Sequence, residues 1–155
     1  GDVVDVAFVP QINEYRGERS VQMNILDIRP SCAAPCPMDT FRYRALRTGQ
    51  LTPQAAAKLL PDRATLACVW RYLAAVPGGS LQESPLCLCR KIVRRSGTEL
   101  SLEQLLTCLD IFRDVGLLEE KRIHLTIAIR LRTVSGKADL TKSETMQTLL
   151  RAKES

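Results

Sequence analysis

The chain is poor in the side chains on which most enzyme chemistry depends. It has one histidine, His124, one tryptophan, and 5% aromatic residues in all. A single imidazole cannot complete the usual paired zinc knuckle, and His124 has no companions for a metal site or a catalytic role. No Ser/His/Asp set, glycine-rich phosphate loop or close carboxylate pair with a raised-pKa environment can be proposed from the sequence. No apolar run approaches the roughly 18 residues that cross a bilayer, which excludes a helical span. Gly1-Asp2-Val3-Val4-Asp5 carries no basic n-region, so no secretory leader is expected. There is no initiator methionine, and the expectation is a piece of something longer. Six cysteines are present, but Cys32 and Cys36 are four apart, Cys87 and Cys89 form a C-x-C, and no C-x-x-C occurs. Cys68 and Cys108 fall inside apolar helical patterns, where cysteine acts as a small hydrophobe. Reduced thiols in a cytoplasmic protein are the expectation.

What is present suits one compact domain and a short appendage: 155 residues, 17.3 kDa, 45% hydrophobic and 25% charged. The net charge of +5 is unevenly spread. Residues 1–31 hold three bases against five acids, and residues 101–121 hold two against five, so the positive charge lies elsewhere. A basic balance permits a polyanion partner without requiring one.

Residues 3–9 and 19–28 read as two strands, with Val21, Met23 and Ile25 on one face and Gln22 and Asn24 on the other. The stretch Pro10 to Glu18 reads as their loop, with Gly17 at a positive-φ position. A lone hairpin is marginal in water, so this one is expected to complete a sheet with missing sequence or another chain, and a homodimer contact is one route. Residues 32–38, rich in proline, read as a linker.

Helical patterns follow. Asp39 is placed to cap a helix through Arg47, and Thr52-Pro53 opens one to about Leu60. Asp62 opens a helix to residue 76, Ser84-Pro85 one to residue 96, and the capping box Ser101 to Gln104 one to residue 115. The period then drops to two over Ile123, Leu125, Ile127, Ile129 and Leu131, a strand over 122–133 paired with one over 117–121. Thr141 to Glu144 reads as a capping box opening a last helix. Three helices followed by a hairpin is the order of a winged helix. The fold class expected is α+β, with a plain helical bundle plus small sheet as the alternative.

Val4 to Phe8 (VDVAF), Asn13-Glu14-Tyr15-Arg16-Gly17, and Ser20-Val21-Gln22 leading into Leu26-Asp27-Ile28 resemble the RecJ-type single-strand-specific DNA exonucleases of the DHH phosphoesterase superfamily. Asp139, Leu140 and Ser143 are similar to the close of the extra C-terminal domain in some of these enzymes. The resemblance implies that residues 1–31 are the terminal β-hairpin of an OB-fold. It implies that residues 39–155 are a helical, winged-helix-like accessory domain. The DHH motif and the Asp and His ligands for two manganese ions are absent from this chain. The resemblance therefore implies a non-catalytic C-terminal fragment with no cofactor of its own, whose parent uses manganese or magnesium. The parent would remove nucleotides from the 5′ end of single-stranded DNA in repair and recombination. The fragment would position that DNA or recruit a partner, with the acidic tail of single-stranded-DNA-binding protein as the partner implied.

Two sets of residues carry the binding expectation. Asn13, Tyr15, Arg16, Arg19 and Gln22 offer an aromatic and cations to a single strand. Glu14 and Glu18 weaken that offer. Arg90, Lys91, Arg94 and Arg95 put four cations on one side of a helix at i,i+4 spacing, with Leu86, Cys89 and Val93 toward the core. Arg122, Arg130 and Arg132 join His124 on the polar row of the strand, with Arg130 and Arg132 as further anion contacts. The helix 101–115 would enter a DNA groove if this were a free-standing winged-helix regulator. Its expected outward residues, Glu103, Gln104, Thr107, Asp110, Arg113 and Asp114, include three acids that phosphates would repel, so that rival is disfavoured. A purely structural accessory domain is the other rival. Trp70 and Phe112 are expected in the core.

Overall fold

The computed structural model describes residues 4–30, 40–123, 125–134 and 136–154. Two compact units divide the chain, Gly1–Cys32 and Ala33–Ser155. The expected linker, with Cys32, Cys36 and Asp39, lies outside the described residues, as does His124.

The first unit is an antiparallel hairpin of β1 (Val4–Tyr15) and β2 (Glu18–Pro30). Its ladder runs through the stretch Pro10 to Tyr15, where the sequence pattern suggests a loop. Only Arg16 and Gly17 make the turn, both at positive φ, 54° and 82°. Two left-handed residues match the twist of the flanking strands, which is why so short a loop closes so long a hairpin. Pro10 has no N–H to offer Met23, and a two-stranded ribbon tolerates this because each strand is an edge. The register shifts between Ala7 and Phe8, where Leu26 is the extra residue on β2. That bulge puts Ile28 on the same side as Ile25, although the two are three apart. Val6, Phe8, Pro10 and Ile12 therefore pair with Ile28, Ile25, Met23 and Val21 on one apolar face. All these hydrophobic side chains are exposed, Val21 at 75%.

The second unit is α+β. Its elements are α1 (Phe41–Thr48), α2 (Pro53–Leu59), α3 (Arg63–Ala74), β3 (Ser80–Glu83), α4 (Pro85–Ser96), α5 (Leu102–Asp114), β4 (Leu118–Ile123), β5 (Thr126–Leu131) and α6 (Glu144–Glu154). The caps expected at Thr52, Asp62, Ser84 and Ser101 all accept the N–H three residues on. The last helix differs. Residues 140–142 form a single 3-10 turn capped by Asp139, and Ser143, rather than Thr141, accepts the Met146 N–H to open α6. The Asp114 carboxylate takes the Ser143 hydroxyl at 2.8 Å and the Thr145 N–H at 2.9 Å, anchoring α6 to the end of α5.

The three strands form one antiparallel sheet in the order β3-β5-β4. β3 is too short to show alternation, and the sequence pattern does not predict it. The single strand expected over 122–133 is also divided: Ile123 ends β4 and pairs with Thr126, which begins β5. This moves Arg122 off the polar row of β5. It lies on the core side of β4, where its guanidinium donates to the Tyr43 hydroxyl at 2.6 Å.

α5 is the hub of the core. Leu105, Cys108, Leu109 and Ile111 are fully buried, and Phe112 nearly so. Glu103, Thr107 and Asp110, expected to face outward, are all buried. The cause is α1, which lies on that side of α5. Glu103 accepts the Arg42 and Tyr43 N–H groups, and its carboxylate pairs with the Arg42 guanidinium. No helix among the described residues is long and apolar enough to cross a membrane.

Candidate nucleic-acid interface

The hairpin divides its expected contacts between two faces. Asn13, Tyr15 and Gln22 lie on the face opposite the apolar one, with Gln11 and Asn24 beside them, where Asn24 donates to Gln11 at 2.8 Å. This face is polar, and Tyr15 is the exposed aromatic on it. The Arg16 guanidinium sits 5.2 Å from the Tyr15 ring centre, a cation over a π face at the tip of the turn. Arg19 belongs to the other face, where it pairs with Glu14 across the ladder at 3.2 Å. Its charge is already met there, so the hairpin brings together Asn13, Tyr15, Arg16 and Gln22 but not Arg19.

α4 carries the densest positive charge. Leu88, Cys89 and Ile92 are buried, whereas Leu86 and Val93 are half-buried, so the core side is rotated slightly from the expected one. Burial pushes the Cys89 thiol up to about 11, so it stays protonated and inert at neutral pH. Of the four cations, Arg90 is half-buried and Lys91, Arg94 and Arg95 are exposed. Lys91 pairs with Glu83 at the end of β3, and that hydrogen bond holds its ammonium above the usual lysine range. Arg95 stands 5.8 Å from the Tyr72 ring centre. Beside it, Cys68, Arg71, Tyr72, Ile92, Ser96 and Thr98 line a pocket of about 280 Å³ between α3 and α4. Arg71 is a contact that sequence reasoning missed. It lies in the last turn of α3, where a basic residue is ordinarily explained by the helix dipole alone. The arrangement is two arginines and three hydroxyl-bearing side chains around a concave surface, which suits an oxyanion such as a phosphate.

Arg130 and Arg132 lie on the outer face of the sheet. Arg132 donates to Glu119 at 2.9 Å, and that contact holds the Glu119 carboxyl below its usual range. Arg130 pairs in register with Glu119 on one side and Ser80 on the other. Neither lines the pocket beside α4, and of the four α4 cations only Arg95 does. Among the described residues no group of three or more His, Cys, Asp or Glu side chains stands in a metal-binding arrangement.

No protein-family model, curated protein or solved structure matches the chain.

Proposed function

We propose that this chain is the non-catalytic C-terminal part of a cytoplasmic RecJ-type single-strand-specific DNA exonuclease. Its hairpin closes the parent's OB-fold, and its second unit is a winged-helix-like accessory domain that positions single-stranded DNA or recruits a protein partner. The observation that carries this reading is the apolar face of the hairpin. Val6, Phe8, Ile12, Val21, Met23, Ile25 and Ile28 lie exposed on a two-stranded ribbon with open edges, as they would if further strands were supplied by the preceding chain.

Two features of the second unit support the rest. Its three strands are ordered β3-β5-β4, with β3 between α3 and α4 in the chain and β4 and β5 following α5, an order compatible with a winged helix. In a groove-reading regulator α5 would be the exposed recognition element, yet here it is covered along Glu103, Thr107 and Asp110. That favours the accessory role over the regulator. The α4 cations and the Arg71/Arg95 pocket then supply the contact for phosphates, or for the acidic tail of single-stranded-DNA-binding protein.

The catalytic manganese or magnesium would belong to the preceding part of the parent, with no ligand drawn from this chain. The coding sequence upstream of Asp2 tests the parentage. A DHH motif with its accompanying Asp and His ligands is expected there, and an unrelated upstream sequence would contradict the reading. Purified chain should leave a labelled single strand intact with manganese or magnesium, and metal-dependent degradation would contradict its non-catalytic role.

A further inference from the structure

The pocket of about 280 Å³ between α3 and α4 has a ligand chemistry of its own. Cys68 and Ile92 are its buried lining residues, Arg71 and Arg95 its exposed cations, and no carboxylate lines it among the described residues. Neither arginine forms an ion pair with a described residue. Arg71 donates its Nε to the Ala67 carbonyl at 3.1 Å, and its two terminal nitrogens are left for a ligand. The hydroxyls of Tyr72 and Thr98 make no hydrogen bond among the described residues. The Ser96 hydroxyl is spent on the Ile92 carbonyl at 2.8 Å and the Thr98 N–H at 3.2 Å, so it shapes the rim. Both arginines sit in the last turn of their helix, where each helix end carries roughly half a negative charge. The two ends together offset about one of the two positive charges, and about one remains in a concave, acid-free site.

We infer that this pocket binds the phosphate of a small monoester, a molecule of the nucleoside monophosphate class, with the guanidiniums of Arg71 and Arg95 and the hydroxyls of Tyr72 and Thr98 on its oxygens. The inference rests on the phosphate-binding part of the proposed function and names, for this one pocket, a free ligand in place of the strand. A monoester carries roughly −1.5 to −2 at neutral pH and has three free oxygens, whereas a backbone diester carries a single charge and has two. Four donor side chains in one pocket match the monoester better. A diester also continues through two ester bonds, so the strand on both sides would have to leave by the pocket mouth, whereas a monoester leaves by one. The volume lies at the small end of ligand sites, which begin near about 300 Å³, with room for a phosphate and a compact organic body but not for successive nucleotides. Ile92 and the ring of Tyr72 offer that body an apolar wall. A carboxylate brings one charge and two oxygens, so an acidic peptide is the poorer match.

Calorimetric titration of the full chain with thymidine 5′-monophosphate should show saturable binding at one site. Thymidine should not bind, and the thymidine dinucleotide, whose one phosphate is a diester, should bind about tenfold more weakly or worse. Inorganic phosphate should compete, but more weakly, because it has no organic body to cover Ile92. Arg71→Gln with Arg95→Gln should weaken the monophosphate by about tenfold or more. Both sites are exposed, and an unchanged circular-dichroism spectrum and melting temperature show that the variant is folded. Tyr72→Phe with Thr98→Val, which removes two hydroxyls and keeps the shape, is the second variant and should cost about threefold or more. No binding of the monophosphate, native affinity in both variants, or equal affinity for thymidine, the dinucleotide or inorganic phosphate would overturn the inference. So would an arginine variant that loses unphosphorylated oligo-dT together with the monophosphate, which would make the pocket part of the strand's path. The proposed function is judged separately by the same oligo-dT on native chain. Binding of oligo-dT without the monophosphate fells only this inference, and binding of the monophosphate without oligo-dT fells the strand reading and leaves this one standing.

Discussion

The phenolic hydroxyl of Tyr43 donates to Oδ2 of Asp110 across 2.6 Å, and both side chains are buried. Arg122 donates to the same hydroxyl at 2.6 Å, so one oxygen joins α1, α5 and β4. Burial, and then the Asp110 carboxylate, hold the phenol above its ordinary range, so it remains a donor at any working pH. Arg113 stands 2.6 Å from Oδ1 of Asp110 as an ion pair without a well-directed hydrogen bond. Arg122 also donates to Glu120 at 2.7 Å, and against the penalty of burial these contacts keep its guanidinium above the usual range. The network fixes α1 over the face of α5 that its own sequence would leave open to solvent.

Tyr43→Phe removes one hydroxyl and leaves Oδ2 of Asp110 short of its donor in a buried site. The expected cost is about 1–3 kcal/mol of unfolding free energy. Urea denaturation followed by Trp70 emission measures it. An unchanged midpoint would mean that the Tyr43 hydroxyl does not help to hold α1 on α5.

Asp114 gives a dependence on acid. Although burial works the other way, the Thr145 N–H and the Ser143 hydroxyl hold its carboxyl below the ordinary range. A carboxyl depressed in the folded state contributes stability above its unfolded value, about 3.9, and that contribution disappears as pH falls through the lower folded value. Below about pH 4 the native chain should therefore lose stability more steeply than Asp114→Asn. Thermal melts from pH 6 to pH 3 make the comparison. Parallel curves would remove Asp114 from the account of α6.

The hairpin's apolar face should be dispensable to the second unit. Ile12→Glu with Val21→Lys places opposite charges at a directly paired position on that face. The Trp70-detected melt should not change, and dye binding to exposed apolar surface should fall. A lowered melting temperature for the second unit would show that it relies on this face.

Cys108 is fully buried, and burial raises its thiol well above the ordinary range. Native protein should leave this thiol unlabelled by an alkylating reagent at neutral pH, with labelling appearing only as the chain unfolds. Peptide mapping after a timed pulse reads this. Rapid native labelling of Cys108 would contradict its placement in the core.

Local signals carry much of the fold. Ser84-Pro85 and the Ser101/Gln104 capping box begin α4 and α5 where their side chains require, because a cap acts within one turn of chain. The errors lie where a distant residue decides. Glu103 and Asp110 look solvated on their own helix, yet Arg42, Tyr43 and Arg113 give them partners inside the core. α5 does carry a warning, since Leu102, Leu105, Leu106, Leu109, Ile111 and Phe112 surround most of its circumference, the mark of a buried helix. β3 exists because β5 pairs with it, which four residues cannot announce. At the candidate site, the α4 cations are legible from i,i+4 spacing. The pairing of Lys91 with Glu83, and the addition of Arg71, depend on tertiary neighbours.

Charge reversal on α4 tests the central claim, that this unit holds the phosphate backbone of a single strand through its basic helix. Labelled oligo-dT is titrated against native chain, Arg90→Glu with Arg94→Glu, and Arg16→Glu with Arg19→Glu, each at two salt concentrations. The α4 variant should bind more weakly than the hairpin variant. Its log–log salt slope should fall by ~0.7 for each phosphate that is no longer neutralised. An α4 variant that is folded by circular dichroism and binds with native affinity and native salt slope would contradict the account.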